Sequence, residues 1–166
     1  ALTALLGLLA TLAGGSLGDR LRGRFPGSYF LVSGVALVLA FPMILLILVT
    51  PFPWAWVFLG LAVFCLFFNT GPTNTILANV THPAVRASAF ALNILVIHAL
   101  GDAVSPPVIG LIQDKTGSLN AGFAFVSVLV LVGGVLWLWG ARYLARDTAL
   151  APTRLLDESP ALAGGP

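Results

Sequence analysis

The chain has 166 residues, 58% of them hydrophobic and only 8% charged, and its mean hydropathy is +1.02. A water-soluble domain carries about 25% charged residues to keep its surface wet, so this composition excludes a soluble globule and selects lipid as the solvent. The net charge of +2 is not a nucleic-acid signature, because the basic residues stand at the ends of apolar runs, where membrane topology explains them.

Five apolar segments, each near the roughly 20 residues that span a bilayer as a helix, account for most of the length. The first, 1–17, has neither a Met nor a basic stretch ahead of it and ends in Gly14-Gly15-Ser16. That ending does not resemble a signal-peptide cleavage region, and the expectation is the tail of a longer helix in a fragment of a protein. A charged loop, Asp19 to Arg24, follows. The second segment, 29–49, carries Pro42 as an expected kink, and Thr50-Pro51-Phe52-Pro53 forms a turn in which two prolines restrict the backbone. The third, 54–80, is interrupted by Asn69-Thr70-Gly71-Pro72-Thr73-Asn74. The fourth, 84–112, contains Gly101, Pro106 and Pro107; after a loop at 113–120 the fifth runs over 121–144. Residues 145–166, rich in Ala, Pro and Gly, are expected to form a disordered cytoplasmic tail. Transmembrane strands would be near 10 residues long and alternate in polarity, and these segments do neither. The fold class expected is an all-α membrane protein with a bundle of five transmembrane helices over 1–144.

Seven of the eight basic residues fall on one face: Arg20, Arg22 and Arg24 in one loop, Arg86 beside the next, and Arg142, Arg146 and Arg154 after the last helix, against Lys115 alone on the other. By the positive-inside rule that face is cytoplasmic. Trp54 and Trp56 at the outer end of one helix, with Trp137 and Trp139 near the inner end of another, fit an interfacial aromatic belt.

The stretch Gly15-Ser16-Leu17-Gly18-Asp19-Arg20-Leu21-Arg22-Gly23-Arg24 is the most informative. Small residues permit close helix approach, and Asp19 is placed to cap a helix N-terminus at the positive end of its dipole. Arg20 and Arg24, with Arg86 on the same face, are placed to hold that carboxylate or the anionic lipid surface. The result is a latch made in one conformation and broken in another; the plain alternative is a generic cytoplasmic loop.

His98 and Asp102 lie near the midpoint of the fourth segment, one helical turn apart on one face, with Ser105 close to the same stripe. Ionisable groups at that depth cost about 2.5–3.5 kcal/mol each and mark a functional path unless they serve only as a static interhelical bond. The pair can exchange a proton with the medium or hold a substrate headgroup. Pro106 and Pro107 remove two helical donors and should kink the segment, as a hinge or as a rigid bend. In the third segment Asn69, Thr73 and Asn74 surround the Pro72 break at mid-depth, where broken transporter helices bind substrate; interhelical hydrogen bonding is the alternative. No enzyme constellation is present. His82 sits in a loop, Cys65 has no adjacent base and belongs to no disulfide framework or metal cluster, no phosphate loop is found, and no cofactor or metal is expected.

Residues 15–24 resemble the loop motif of the major facilitator superfamily, found between helices two and three and again between helices eight and nine. Four helices follow it here, which implies the second copy, helices eight to twelve, and an N-terminal half that this chain lacks. A narrower resemblance, to the Spinster-like family, is carried by His98-Ala99-Leu100-Gly101-Asp102 followed by Ser105-Pro106-Pro107-Val108-Ile109-Gly110-Leu111-Ile112-Gln113-Asp114, with Arg86-Ala87-Ser88-Ala89-Phe90-Ala91 upstream. The resemblance implies a secondary active transporter working by alternating access on an amphipathic lipid such as a lysolipid, or on a hydrophobic organic anion, in a bacterial inner membrane. Its partners would be membrane lipid, the substrate and the missing N-terminal half, with no nucleic acid. A multidrug exporter of the same fold and a non-transporting membrane scaffold are the alternatives.

Overall fold

The structure is a computed structural model that describes residues 2–153. Every regular element among them is helical: α1 (Leu2–Arg22), α2 (Ser28–Val49), α3 (Trp54–Phe68), α4 (Thr70–Val80), α5 (Arg86–Val96), α6 (Ser105–Thr116), α7 (Leu119–Gly140) and α8 (Leu144–Leu150). A 3-10 turn, Pro83–Val85, precedes α5, and a π turn, Ile97–Asp102, joins α5 to α6. Helices are what apolar runs must form where no water is present, because every peptide group then finds its partner within the segment.

Four stretches among the described residues are long and apolar enough to cross a membrane: Ser28–Val49, Trp54–Val80, Pro83–Thr116 and Leu119–Gly140. The remaining long helix, α1, has 21 residues but carries Asp19, Arg20 and Arg22 in its last turns and is not one of the four. The molecule is inverted relative to a soluble protein. Leu12, Leu95 and Leu100 are each at least 60% exposed, while the interior holds Ala10, Ala40, Ser28 and Ser33. Small groups inside and leucines outside are what an apolar solvent selects, since burying leucine gains nothing over lipid and close backbone packing does.

Two of the helix contacts that build the bundle run through glycines. In the first, α2 crosses α7 where Gly34 meets Gly134: a Cβ on Gly34 would lie 2.9 Å from the Gly134 carbonyl oxygen, and one on Gly134 would lie 2.9 Å from the Val38 amide. In the second, the α1 face bearing Gly7, Thr11 and Gly14 lies along α3 and α4. The Phe67 ring covers Gly7, Thr11 Oγ1 lies 2.8 Å from the Gly7 carbonyl of its own helix and 3.3 Å from the Phe67 carbonyl, and a Cβ on Gly71 would come within 2.5 Å of the Thr11 carbonyl oxygen.

Arg20, Arg22, Arg24, Arg142 and Arg146 stand at the end of the bundle where the α1–α2 turn meets the α7–α8 joint. There Tyr29, Ile76 and Leu144 form a buried cluster, flanked by Phe30, Val80 and Trp137, and the Phe30 and Trp137 rings stand 4.8 Å apart. Trp137 therefore packs inward, whereas Trp54, Trp56 and Trp139 are exposed. At the opposite end α6 stops at Gly117, whose φ of 68° is the left-handed conformation that glycine adopts without strain.

Several boundaries depart from the sequence expectation. The first helix does not stop at residue 17 but continues to Arg22, because nothing in Gly18-Asp19-Arg20-Leu21-Arg22 breaks a helix and two arginines favour its C-terminal turn. The fourth segment begins with a 3-10 turn, in which the His82 ring nitrogen accepts from the Ala84 amide, and it extends past residue 112 to Thr116. The last spanning helix begins at Leu119 and ends at Gly140, short of residue 144. The expected tail starts as structure: α8 buries Leu144, and Ala151 is buried just after it. The rest of that tail, 154–166, lies outside the described residues. Pro42 sits within α2 without interrupting it.

Candidate substrate and proton path

The segment joining α5 to α6 is the most irregular part of any span. Pro106 and Pro107 cannot donate to the carbonyls of Asp102 and Ala103, so the helical ladder loses two successive bonds. Ahead of that gap the turn widens, and the Ala103 amide reaches back five residues to the His98 carbonyl at 3.0 Å. Such π turns are uncommon and cluster at functional sites. The ladder resumes where the Val108 amide meets the Val104 carbonyl at 3.2 Å.

His98 and Asp102 bracket the π turn. His98 Nδ1 and Asp102 Oδ2 stand 2.5 Å apart, with the two side chains 65% and 69% exposed. A pair of ionisable side chains on the lipid-exposed face of a span would be costly, which argues for a polar cavity or a protein surface against that face. Ser105 is the first residue of α6, whose N-cap position is held by Val104.

The second polar set lies at the α3–α4 junction. Pro72 leaves the Phe68 carbonyl without its helical donor, and the helix is divided at Asn69. Thr73 Oγ1 lies 2.8 Å from both the Asn69 carbonyl and Asn69 Oδ1. Asn74 is exposed. Among the described residues the two polar sets are hydrogen-bonded within themselves and not to each other.

At the arginine-rich end the expected latch takes another form. Asp19 lies inside the last turns of α1 and caps no helix N-terminus, and none of Arg20, Arg24 and Arg86 forms a salt bridge with it among the described residues. Its partner is the Tyr29 hydroxyl, which donates to Asp19 Oδ1 at 2.7 Å. The neighbouring Ser28 Oγ donates to the Gly18 carbonyl at 2.8 Å, so two adjacent residues of α2 clasp two adjacent residues of α1. Gly18 admits this contact: a Cβ there would stand 2.5 Å from the Tyr29 ring. Gly15 has nothing within 4 Å of a Cβ position, while Arg20, Arg24 and Arg86 are all exposed. Ser28 and Tyr29 escape a sequence reading focused on charge; their ten-residue spacing from Gly18 and Asp19 was the available signal.

A third arrangement, at the end of α7, was also not foreseen. The Arg142 guanidinium lies 5.5 Å from the Trp139 ring centroid and 5.8 Å from that of Tyr143, and its Nε donates to the Trp139 carbonyl at 3.2 Å.

Long apolar helices packed through glycines, with an ionisable pair and proline-broken turns inside the spans, define a polytopic helical membrane protein. No family model matches the chain. It is 32% identical to Protein spinster homolog 3 of Homo sapiens, over 91% of this chain and 32% of that protein. It is 29% identical to Protein spinster homolog 3 of Danio rerio, over 96% of the chain and 35% of the relative. With the Probable sphingolipid transporter spinster homolog 3 of Arabidopsis thaliana it shares 26% identity, over 84% of the chain and 28% of the relative. The chain belongs to the Spinster-like members of the major facilitator superfamily. It spans about a third of the length of the curated relatives it matches.

Proposed function

We propose that this chain is the C-terminal portion of a secondary active transporter that moves an amphipathic lipid by alternating access with proton coupling. The observation that carries the reading is the His98–Asp102 pair, 2.5 Å apart and exposed, on a π turn in the middle of a span. A hydrogen-bonded pair of ionisable side chains on a widened turn supports a proton relay across the span when the turn changes the side to which it is open. The name sphingolipid transporter, borne by a relative, supports a lipid substrate. The Asn69–Thr73 pair beside the α3–α4 break would bind polar headgroup atoms, as broken transporter helices do. The Tyr29–Asp19 clasp would hold the cytoplasmic end of α1 against α2 in one state. By the positive-inside rule the arginine-rich end, and with it α8, faces the cytoplasm of a bacterial inner membrane.

The test is uptake of a fluorescent lysophospholipid and of fluorescent sphingosine by proteoliposomes holding the full-length protein, with and without an imposed pH gradient. Asp102→Asn should abolish gradient-driven uptake and leave the amount of folded protein unchanged. Uptake unaffected by Asp102→Asn would remove the pair from the mechanism. Absence of lipid uptake, with export of unrelated hydrophobic cations instead, would favour a multidrug exporter, and absence of any flux would favour a scaffold.

A further inference from the structure

At the arginine-rich end two crevices that meet at Leu31 form one amphipathic trough, on helices other than those bearing His98 and Asp102. The apolar part, about 270 Å³, lies between α1, α2 and α3; its lining includes Leu17, Leu31, Val35, Phe64 and Cys65 and has no polar surface. Along α2 it runs from Leu31 to Leu39, about 12 Å at ~1.5 Å per residue. That approaches the depth of one leaflet, half of a hydrocarbon core about 30 Å thick. The second part, about 260 Å³, opens between the α1–α2 turn and the α7–α8 joint, where Phe25 and Leu31 face Arg142. Arg142 is the one charged residue lining either part, and its guanidinium is held in place by Trp139 and Tyr143.

We propose that this trough is a binding site for a resident anionic glycerophospholipid of the leaflet on the arginine-rich side. One acyl chain lies in the apolar part and the phosphate sits on Arg142. The ligand chemistry follows from the two ends. An apolar slot of leaflet depth takes a hydrocarbon chain, and a fixed guanidinium accepts a phosphate as a two-pronged donor. Arg24, next to Phe25 at the mouth, adds to the preference for negative over zwitterionic headgroups. The proposal does not depend on the transport reading, since none of its residues lies on α5 or α6.

Cys65 provides the probe, because it lines the apolar part and is the only cysteine of the chain. The full-length protein, with any other cysteine replaced, is labelled at Cys65 with bimane. It is then reconstituted in phosphatidylcholine containing increasing brominated phosphatidylglycerol or, in parallel, brominated phosphatidylcholine. Brominated phosphatidylglycerol should quench at about fivefold lower mole fraction, the worth of one arginine beside an anionic headgroup. Arg142→Gln should bring the two lipids to parity, Arg142→Lys should retain part of the preference, and Val35→Trp, which fills the slot from an exposed position, should weaken quenching by both. Size-exclusion profiles confirm that each variant is folded. Equal quenching by the two lipids in the unmodified protein overturns the headgroup assignment. No quenching by either lipid overturns the site altogether, and would mean that another part of the full-length protein covers the trough.

Discussion

The carbonyl of Phe68 rests against the Cα of Gly14, so that α1 and the α3–α4 helix touch backbone to backbone. Pro72 is the residue that would ordinarily donate to that carbonyl, and it has no N–H to give. The group denied a helical partner is thus turned to a position on α1 that carries no side chain. A Cβ on Gly14 would collide with this oxygen, and a backbone atom cannot rotate away as a side chain would. Gly14→Ala should therefore separate the two helices and cost about 2–3 kcal/mol or more, at the upper end for overpacking. Gly15→Ala places its methyl in open space and should be neutral or slightly stabilising, since alanine favours helix by about 1 kcal/mol. Thermal unfolding of the two variants in detergent tests the pair. Equal loss in both would mean that flexibility of the Gly-Gly step matters, rather than the contact.

The clasp between α1 and α2 gives a second comparison. Tyr29 is buried and its hydroxyl is committed to Asp19, whereas Asp19 is exposed on its other side. Tyr29→Phe keeps the ring against Gly18 and removes the bond to Asp19 together with the hydroxyl's interaction with Arg22, for an expected loss of about 1.5 kcal/mol. Asp19→Asn keeps an acceptor oxygen and should lose less. If Asp19→Asn were instead the more damaging change, the carboxylate charge would matter through a partner other than Tyr29. Differential scanning fluorimetry of the purified variants reads the order directly.

Composition and segment length made the helical, membrane-embedded character of the chain legible, because both follow from the solvent alone. Helix ends were less legible: the fourth segment was expected to stop at residue 112, yet it runs on to Thr116, where the left-handed backbone of Gly117 ends it, and at the first helix charge had to stand in for geometry. Asp19, Arg20 and Arg22 looked like a loop, yet a helix end at a membrane surface accepts charged residues without breaking. The His98–Asp102 pairing could be read from its four-residue spacing. The π turn between the two could not, since it arises from the ladder bonds that Pro106 and Pro107 remove downstream. The Arg142–Trp139–Tyr143 group was hidden because each residue singly is an ordinary interfacial side chain.

Ser33 and Ser28 are both fully buried, but their hydroxyls have different fates. Ser28 Oγ donates to the Gly18 carbonyl at 2.8 Å, while Ser33 Oγ has no hydrogen-bond partner. Replacing Ser28 by Ala removes a bond that ties α2 to α1 and should destabilise by about 1 kcal/mol. Replacing Ser33 by Ala removes an unsatisfied polar atom and should stabilise by about 1 kcal/mol. Opposite shifts in unfolding midpoint are expected. A destabilising Ser33→Ala would show that the hydroxyl is satisfied in the membrane.

The paired substitution of Pro106 and Pro107 by Ala tests whether the irregularity between α5 and α6 serves transport or only packing. Two new amides could then donate to the Asp102 and Ala103 carbonyls, and the π turn would relax toward an unbroken α-helix. The ladder gains two bonds, each worth about 1 kcal/mol net, and because both prolines stand in the first turn of α6, where proline is tolerated, the unfolding midpoint should rise only modestly. Amide hydrogen exchange at residues 106 and 107, absent in the natural chain, should be slow. Lipid uptake by the full-length protein should meanwhile fall by about tenfold, because a straight helix no longer lets the His98–Asp102 turn change its exposure. A higher midpoint with unchanged uptake would assign the prolines to shaping alone and take the hinge out of the mechanism. A lower midpoint would mean that the bend itself is required for α6 to reach α7, where a Cβ on Gly122 would already stand 2.9 Å from the Ile109 side chain.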